Sequence, residues 1–393
     1  MEQWPFLIAG GGIAGLAASL GLSRIGRPSR VFEQAAEFSE VGAGLQMSPN
    51  AVRALRWLGA WDAVEPHCVI PTEIHVRDGY SDRLLRRIRL GKAFEQRFAA
   101  PYRVLHRADL LGGLLATART RSEVELCLSS PVLAAESTTG GAQAIFADSR
   151  AQGAAVIGAD GIRSVLRRQM AGDGDPVYRG HTIFRALIPL HDVPPGIVAD
   201  CVTLWLYPGG HVVHYAVSNW RQFNIVATLD SPWQSSGWSE PGTPDELRGG
   251  FEFAAPALAD VLAAPKTWLK WAGADLPPID AWTQGRIALI GDAAHASLPY
   301  LAQGAAMALE DACMLAVELG TRSPLPAALA RYAARRRPRT TRIQMASRRL
   351  ASAYHAHGVR RICRNMAMSL MPSETFLASL SWIYDWDVMK QSD

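Results

Sequence analysis

The stretch Phe6-Leu-Ile-Ala-Gly-Gly-Gly-Ile-Ala-Gly-Leu-Ala-Ala-Ser-Leu-Gly-Leu22, followed by Arg30-Val-Phe-Glu-Gln34, decides how this 393-residue chain is read. An apolar run ends in Gly10-x-Gly12-x-x-Gly15, a helical pattern follows, and a second apolar run ends on Glu33. Strand, glycine turn, helix, strand and distal acid together make the fingerprint of a dinucleotide-binding βαβ unit. Gly10 permits the tight turn, Gly12 lets backbone approach a pyrophosphate, and Gly15 lets helix and strand pack closely. The free N–H groups at the helix start face the phosphates. Glu33 can accept from both ribose hydroxyls and repels a 2′-phosphate, which favours FAD or NAD over NADP.

The length suits about two domains with large cores. No run of 18 apolar residues occurs, and no basic segment precedes a long hydrophobic stretch at the N-terminus. The sequence therefore reads as soluble, unexported and cytoplasmic, with no transmembrane segment. Cys68, Cys127, Cys201, Cys313 and Cys363 form no CxxC pair, which fits reduced thiols and neither a zinc site nor a disulfide frame. The net charge is only +4, yet eleven arginines and no acid lie between Arg331 and Ser373. The preferred reading is an Arg-rich helix that pairs with acids elsewhere; the other is attraction of anionic NAD(P)H or a membrane surface. No recognition motif accompanies the charge, so nucleic acid is not expected as a partner.

Glu40-Val-Gly-Ala-Gly-Leu-Gln-Met-Ser-Pro-Asn50 is a Gly-rich loop ahead of a helix over Ala51–Leu58, capped near Ser48 or Asn50. Such a loop either lets a flat ligand lie on backbone or is an ordinary turn. Glu73 to Leu90 reads as a strand pair turned at Asp78-Gly79. Val104 to Leu111 opens a helix, with Arg107 at the nucleotide end of the sheet. Strands over Val124–Ser130, Ala144–Ala147 and Ala154–Ile157 follow, the last leading into Gly158-Ala-Asp-Gly-Ile-Arg-Ser164. Asp160 there either binds hydroxyls of a ligand in the crevice or makes an Asp-Gly turn.

Thr182–Leu190, Cys201–Tyr207, Val212–Val217 and Phe223–Leu229 read as strands, followed by a linker over Ser231–Pro244 and helical segments to Leu262. A period of two puts His211, Val213, Tyr215 and Val217 on one face. His211 and Tyr215, about 13 Å apart along the strand, either flank a small ring or form an ordinary core pair. The strand Arg286–Ile290 is closed by Gly291-Asp-Ala-Ala-His295, then a loop to Gly304 and a long helix to Leu319. Asp292 would serve a polyol such as a ribityl chain. The helix start at Gly304-Ala305 aims N–H groups and a positive dipole end at negative charge, such as the N1–C2 carbonyl edge of a reduced flavin. Two nucleotide-facing strand ends so far apart in sequence imply one large cofactor, FAD.

Three separated motifs, Gly10-Gly-Gly-Ile-Ala-Gly15 with Glu33, Gly158-Ala-Asp-Gly161, and Gly291-Asp-Ala-Ala-His295 with Pro299-x-x-x-Gln303-Gly304, resemble those of the single-component FAD-dependent aromatic hydroxylases. The resemblance to these group A flavoprotein monooxygenases covers nearly the whole chain. It implies an α/β fold: a Rossmann-like, 4-hydroxybenzoate hydroxylase-like FAD-binding domain from residues 1–75, 100–180 and 270–345. A mainly antiparallel β-sheet substrate domain would come from 76–99 and 181–269, and a C-terminal helical region from 346–393. The family pattern places Gly10, Gly12, Ala14, Gly15, Glu33 and Gln34 on the adenosine and pyrophosphate side, with Val132 near the adenine. It assigns Gln46 to the flavin side of the Gly-rich loop and Arg107 to the ribityl-phosphate region. Asp160 belongs to the motif serving FAD and transient NAD(P)H, Asp292 to the ribityl hydroxyls, Pro299 to the reacting flavin face, and Gly304 and Ala305 to the flavin-edge amides.

Within the family, His211-x-x-x-Tyr215 and Leu298-Pro-Tyr-Leu-Ala-Gln-Gly304 resemble most the branch of 3-hydroxybenzoate 6-hydroxylase, salicylate hydroxylase and 6-hydroxynicotinate 3-monooxygenase. There the His and Tyr contact the ring substrate and help ionise its hydroxyl. Some 3-hydroxybenzoate hydroxylases carry glutamine where Pro299 stands, so the ring acid stays open. The implied activity is NADH- or NADPH- and O₂-dependent hydroxylation of a small phenolic acid through a flavin C4a-hydroperoxide, with His211, Tyr215 and Pro299 as catalytic residues and no metal. Leu204, Leu206, Val213 and Leu298 are expected to keep the pocket dry. The absence of a second GxGxxG agrees with the family, and the Trp-x-Trp-x-Ile-Pro of flavin halogenases is missing. The alternatives are an oxidase or reductase of the same fold, a hydroxylase of a larger phenolic or heteroaromatic compound, and a non-catalytic FAD-bound scaffold. The carboxylate-binding residue and the oligomeric state, a homodimer included, stay open.

Overall fold

Leu7 pairs with Val156 on one side and Arg30 on the other, both in parallel, so the first apolar run lies inside a sheet. The computed structural model describes residues 4–38, 43–172, 175–235 and 237–391. Its six-stranded sheet has the order Thr283–Gln284, Ile287–Leu289, Val156–Gly158, Phe6–Ala9, Ser29–Phe32, Val124–Cys127, with only the first pair antiparallel. Strands buried on both faces read as continuous apolar runs, which is why Phe6–Ala9 and Ile287–Leu289 stand out in the sequence. Helices Ile13–Arg24 and Gly304–Leu319 pack so closely that a Cβ on Gly21 would lie 2.8 Å from the Ala312 carbonyl oxygen. The chain leaves Phe6–Ala9 in one direction to Ser29–Phe32, while Val156–Gly158 lies on its other side. The crevice beyond these strand ends is therefore a topological switch point.

The second layer is an eight-stranded sheet, ordered Ser239–Gly242, Trp268–Asp275, Val177–Pro189, Gln222–Asp230, Gly210–Val217, Cys201–Tyr207, Glu73–Asp78, Leu84–Arg89. Only Cys201–Tyr207 and Glu73–Asp78 pair in parallel. The turn after Asp78 is longer than a two-residue hairpin: Asp78 N–H reaches the Arg83 carbonyl, and Asp78 Oδ1 accepts from the Tyr80 and Ser81 amides. A separate three-stranded sheet, Ala134–Ser137, Ala142–Ile145 and Arg150–Gly153, includes two short strands the sequence does not announce. The Gly-rich loop ends as a strand, Gly44–Met47, paired with Arg103–His106; its Glu40, Val41 and Gly42 lie outside the described residues, as does Ser236 of the linker. Ser48 occupies the cap position of helix Pro49–Leu58, but its hydroxyl donates to Asn50 Oδ1 and caps no backbone N–H.

The long helix Leu325–Tyr354 passes residue 345 without interruption. Helices Gly358–Leu370 and Ser373–Tyr384 follow it. Its arginines pair with acids of the other layers: Arg331 and Arg335 with Glu318, Arg339 with Glu310, Arg348 with Asp275. Arg336 is buried between Glu310 and Asp311, at 2.8 and 2.7 Å. Glu310 also accepts from Asn50, whose amide reaches Gln303, whose own amide reaches Ser48. Low-dielectric pairing of this kind fastens the Gly-rich segment, the Gln303 loop and the long helix to one another. No helix among the described residues is long and apolar enough to cross a membrane.

Candidate active site

Between the two layers lies a cavity of about 380 Å³, lined on the nucleotide side by Gly12, Ala14, Gln46, Arg107, Gly161, Asp292, Pro299, Gly304 and Ala305. Gly10 has a φ of +105°, and a Cβ there would lie 2.3 Å from the Ala159 carbonyl oxygen, so only glycine fits this turn. A Cβ on Gly15 would fall 1.9 Å from the Gly10 carbonyl oxygen. By contrast, Gly12, Gly161 and Gly304 face open space. Helices Ile13–Arg24 and Gly304–Leu319 both begin at the cavity without a side-chain cap, leaving their first N–H groups for an anionic ligand. Glu33 Oε2 accepts from Gly11 N–H at 2.7 Å and Oε1 from Ala35 N–H at 2.9 Å, which fixes the carboxylate at the end of its strand. Two open helix ends, bare backbone and a fixed acid 22 residues from Gly11 fit an extended dinucleotide.

The opposite wall is one face of the eight-stranded sheet, and its register sets the side chains. Trp271, Ile183, Thr228 and His211 stand in one cross-strand row; Arg185, Val226 and Val213 stand in the next; Tyr215 pairs with Asn224 in the third. All but Asn224 line the cavity. Arg185 is two strands from the His211 strand, about 10 Å sideways at the usual strand spacing. The Arg185 side chain is half-buried with its Nε shut off from solvent, has no ion pair or hydrogen-bond partner among the described residues, and lies over the Trp271 ring at 4.9 Å. Burial, with Arg107 nearby, pulls it down to about 10, so it remains a cation at neutral pH.

Tyr102 donates its hydroxyl to Gln46 Oε1 at 2.5 Å, and the Gln46 side chain lies beside the Tyr215 phenol. Burial pushes the Tyr215 phenol well up, against the smaller opposing pull of Arg185 and Gln46, and keeps it protonated. His211 is buried, with Nδ1 at 2.9 Å from His355 Nε2. Burial, then the neighbouring His355 and His181, hold its imidazole well below the ordinary histidine value, so it is neutral and can accept a proton.

Several expected residues stand elsewhere. Asp160 does not line the cavity: its carboxylate accepts from Ser164 Oγ at 2.6 Å and from the Val165 and Leu166 amides, capping helix Val165–Ala171. The Asp-x-x-x-Ser spacing before that helix is the sequence signal for this cap, and the next residue, Gly161, lines the cavity. Val132 packs partly buried on the nucleotide-domain core, just past Ser130, whose N–H reaches the Glu33 carbonyl. Gln34 is exposed. Gln46, read as a flavin-side group, lines the cavity beside Tyr215. Of the four apolar residues expected to dry the pocket, Val213 and Leu298 line it. Leu204 and Leu206 lie a strand further out, in a cluster with Val76 and Leu85 beneath Tyr354 and Met368. Ile183, Val226 and Trp271 take their place, and Arg185 is the charged group sequence reasoning missed.

A family model described as an FAD binding domain matches residues 3–347. The chain is 38% identical over 386 residues to the 3-hydroxybenzoate 6-hydroxylase of Polaromonas naphthalenivorans, covering 98% of this chain and 96% of that one. It is 35% identical to a 3-amino-4-hydroxybenzoate 2-monooxygenase of Streptomyces platensis, covering 97% and 95%. Among solved structures, a salicylate hydroxylase substrate complex superposes with a TM-score of 0.84 at 26% identity, covering 99% and 97% of the two chains. Klebsiella pneumoniae HpxO with FAD and uric acid gives 0.84 at 25%, covering 96% and 95%. The glycine cradle and open helix ends agree with these relationships, and the chain belongs to the FAD-binding monooxygenase family, as an FAD-dependent aromatic-ring monooxygenase.

Proposed function

We propose that the protein hydroxylates a small phenolic aromatic acid of the 3-hydroxybenzoate type, with NADH or NADPH as electron donor and O₂ as co-substrate. The observation that carries this reading is the cavity's polar layout: a neutral histidine and a protonated tyrosine on one strand, and a half-buried guanidinium with no partner among the described residues two strands away. A ring acid bridges these groups. Its carboxylate pairs with Arg185 in a charge-assisted bond, and its hydroxyl meets His211 and Tyr215. The names of the 38% and 35% identical relatives, both hydroxybenzoate monooxygenases, support the same substrate class.

FAD, when bound, supplies the redox and oxygen-transfer chemistry. Gly10, Gly12, Ala14, Gly15, Glu33, Arg107, Asp292, Gly304 and Ala305 would hold it, with the helix start at Gly304 toward negative charge on the flavin edge. His211 takes the phenolic proton, making the ring electron-rich, and Tyr215 donates to the resulting oxyanion. Ile183, Val213, Val226, Leu298 and Pro299 keep water from the ring, which protects oxygen transfer from wasteful loss of peroxide. Screening substituted phenolic acids for stimulated NADH consumption, with mass-spectrometric identification of products, tests the proposal. Stimulated consumption without any hydroxylated product across the panel would count against it.

A further inference from the structure

On the far side of His211 from the cavity, side chains from four segments stand in line. His211 Nδ1 lies 2.9 Å from His355 Nε2, His355 Nδ1 meets Asp230 Oδ1, and His181 Nδ1 meets the same oxygen at 2.8 Å. His211 comes from Gly210–Val217, His355 from the end of the long helix, Asp230 from the last position of Gln222–Asp230, and His181 from Val177–Pro189. Both His211 and His355 are buried, whereas the Asp230 side chain is 43% exposed. The line therefore runs from the cavity to solvent.

The acceptor at its end fixes the hydrogen positions. An ionised carboxylate only accepts, so His181 and His355 each carry a hydrogen on Nδ1. A neutral His355 then offers a lone pair at Nε2, and His211 must donate from Nδ1. That leaves the His211 Nε2 lone pair for the cavity, with no protein partner among the described residues. The neighbours of the line are Tyr300, packed on His211, His181 and His355; Tyr354, packed on His211; Tyr178 near Asp230; and His357 past the helix end. Burial pushes the Tyr300, Tyr354 and Tyr178 phenols up, so none competes for the charge near neutrality.

We propose that His211, His355 and Asp230 form a relay that carries the substrate's phenolic proton from the cavity to bulk water, with His181 as a positioning residue for Asp230. The proposal rests on the phenolic-acid reading above. The phenol O–H bond breaks as the His211 Nε2–H bond forms, and the oxygen keeps the electron pair. The His211 Nδ1 proton passes to His355 Nε2, the His355 Nδ1 proton passes to Asp230 Oδ1, and Asp230 releases it to water. The balance is one phenolate and one solvent proton; the line run backwards restores the starting tautomers. Burial disfavours a lasting imidazolium at His211, so the proton has reason to move on. Burial also raises the Asp230 carboxyl, but the His181 and His355 hydrogen bonds outweigh it and hold it below the usual carboxylate range, so it parts readily with a proton.

The test mixes FAD-loaded protein with 3-hydroxybenzoate in weak buffer containing a pH indicator. Phenolate absorbance and proton release are followed together by stopped flow, for wild type, His355→Gln and Asp230→Asn. Bound-flavin spectra and melting temperatures check that each variant folds. In the wild type, phenolate and solvent proton are expected to appear together. Both variants are expected to bind the ligand with unchanged affinity but to slow both signals by about 100-fold. Wild-type rates and an unchanged pH midpoint in both variants would overturn the relay and leave the phenolic-acid reading standing. No phenolate in the wild type would overturn both.

Discussion

The Tyr215 ring rests against Gly44: a Cβ built on Gly44 would lie 2.5 Å from the ring's Cε2 and 2.8 Å from its hydroxyl oxygen. The glycine of the loop that sequence marks for a flat ligand thus makes room for the protein's own aromatic ring. Gly44 N–H also donates to Asn224 Oδ1 at 2.7 Å, and Asn224 is the cross-strand partner of Tyr215. Replacing Gly44 by Ala is expected to cost about 1–3 kcal/mol of stability through overpacking. It should also displace the phenol, so that FAD is retained while NADH consumption uncouples from product formation. An unchanged melting temperature with full coupling would refute this placement.

Arg185→Met should separate the carboxylate from the ring. Losing the partner of a buried charged hydrogen bond costs about 2–5 kcal/mol, so kcat/KM for a phenolic acid is expected to fall at least about 30-fold. A phenol without the carboxylate should lose little. Equal losses for both compounds would show that Arg185 supports the fold and not the substrate.

Glu310 and Asp311 give the stability a defined pH dependence. Burial alone would raise both carboxyls, but Arg339 and Arg336 beside Glu310, and His295 and Arg336 beside Asp311, outweigh it and hold both below the ordinary range. A carboxyl depressed in the folded state stabilises fully above its unfolded value and loses that contribution as pH falls through the folded value. Arg336→Met is expected to lose about 3–5 kcal/mol at neutral pH by stranding buried acids. The gap to wild type should narrow as pH falls from about 4, the unfolded carboxyl value, through the lowered folded values, where the wild type loses this contribution. Denaturant melts across pH measure this, and a gap that widens in acid would be inconsistent with the assignment.

Glu33→Ala removes the acceptor held by Gly11 and Ala35. With the ribose hydroxyls and both backbone N–H groups deprived of that acceptor, FAD affinity should fall by about 10- to 100-fold, corresponding to about 1.5–3 kcal/mol. Flavin fluorescence titration of the deflavinated protein reads it directly, and an unaltered Kd would remove Glu33 from the nucleotide site.

The nucleotide side was legible because its signals are local. Gly10, Gly12, Gly15 and Glu33 sit in one βαβ unit, and Gly291-Asp292 and Gly304 mark a strand end and a helix start. The His211-x-x-x-Tyr215 face followed from a period of two, and Cys201–Tyr207 has the bounds the sequence suggests. Arg185 was not legible, since one arginine on a strand looks the same facing water or a cavity, and only the register decides. His355 lies 144 residues from His211, so nothing short of the assembled layers brings the two together. The cap that Asp160 makes was not legible, because a strand-end aspartate has the same local sequence whether it meets a ligand or caps the next helix.

The most direct measurement is isotope transfer from ¹⁸O₂ during turnover of the FAD-loaded protein with NADH and 3-hydroxybenzoate or an amino-substituted hydroxybenzoate. The expected result is a product one oxygen heavier whose new hydroxyl carries the label, formed in step with NADH consumption. Reduced oxygen accumulating as peroxide, with no labelled ring product from any phenolic acid tried, would contradict the account.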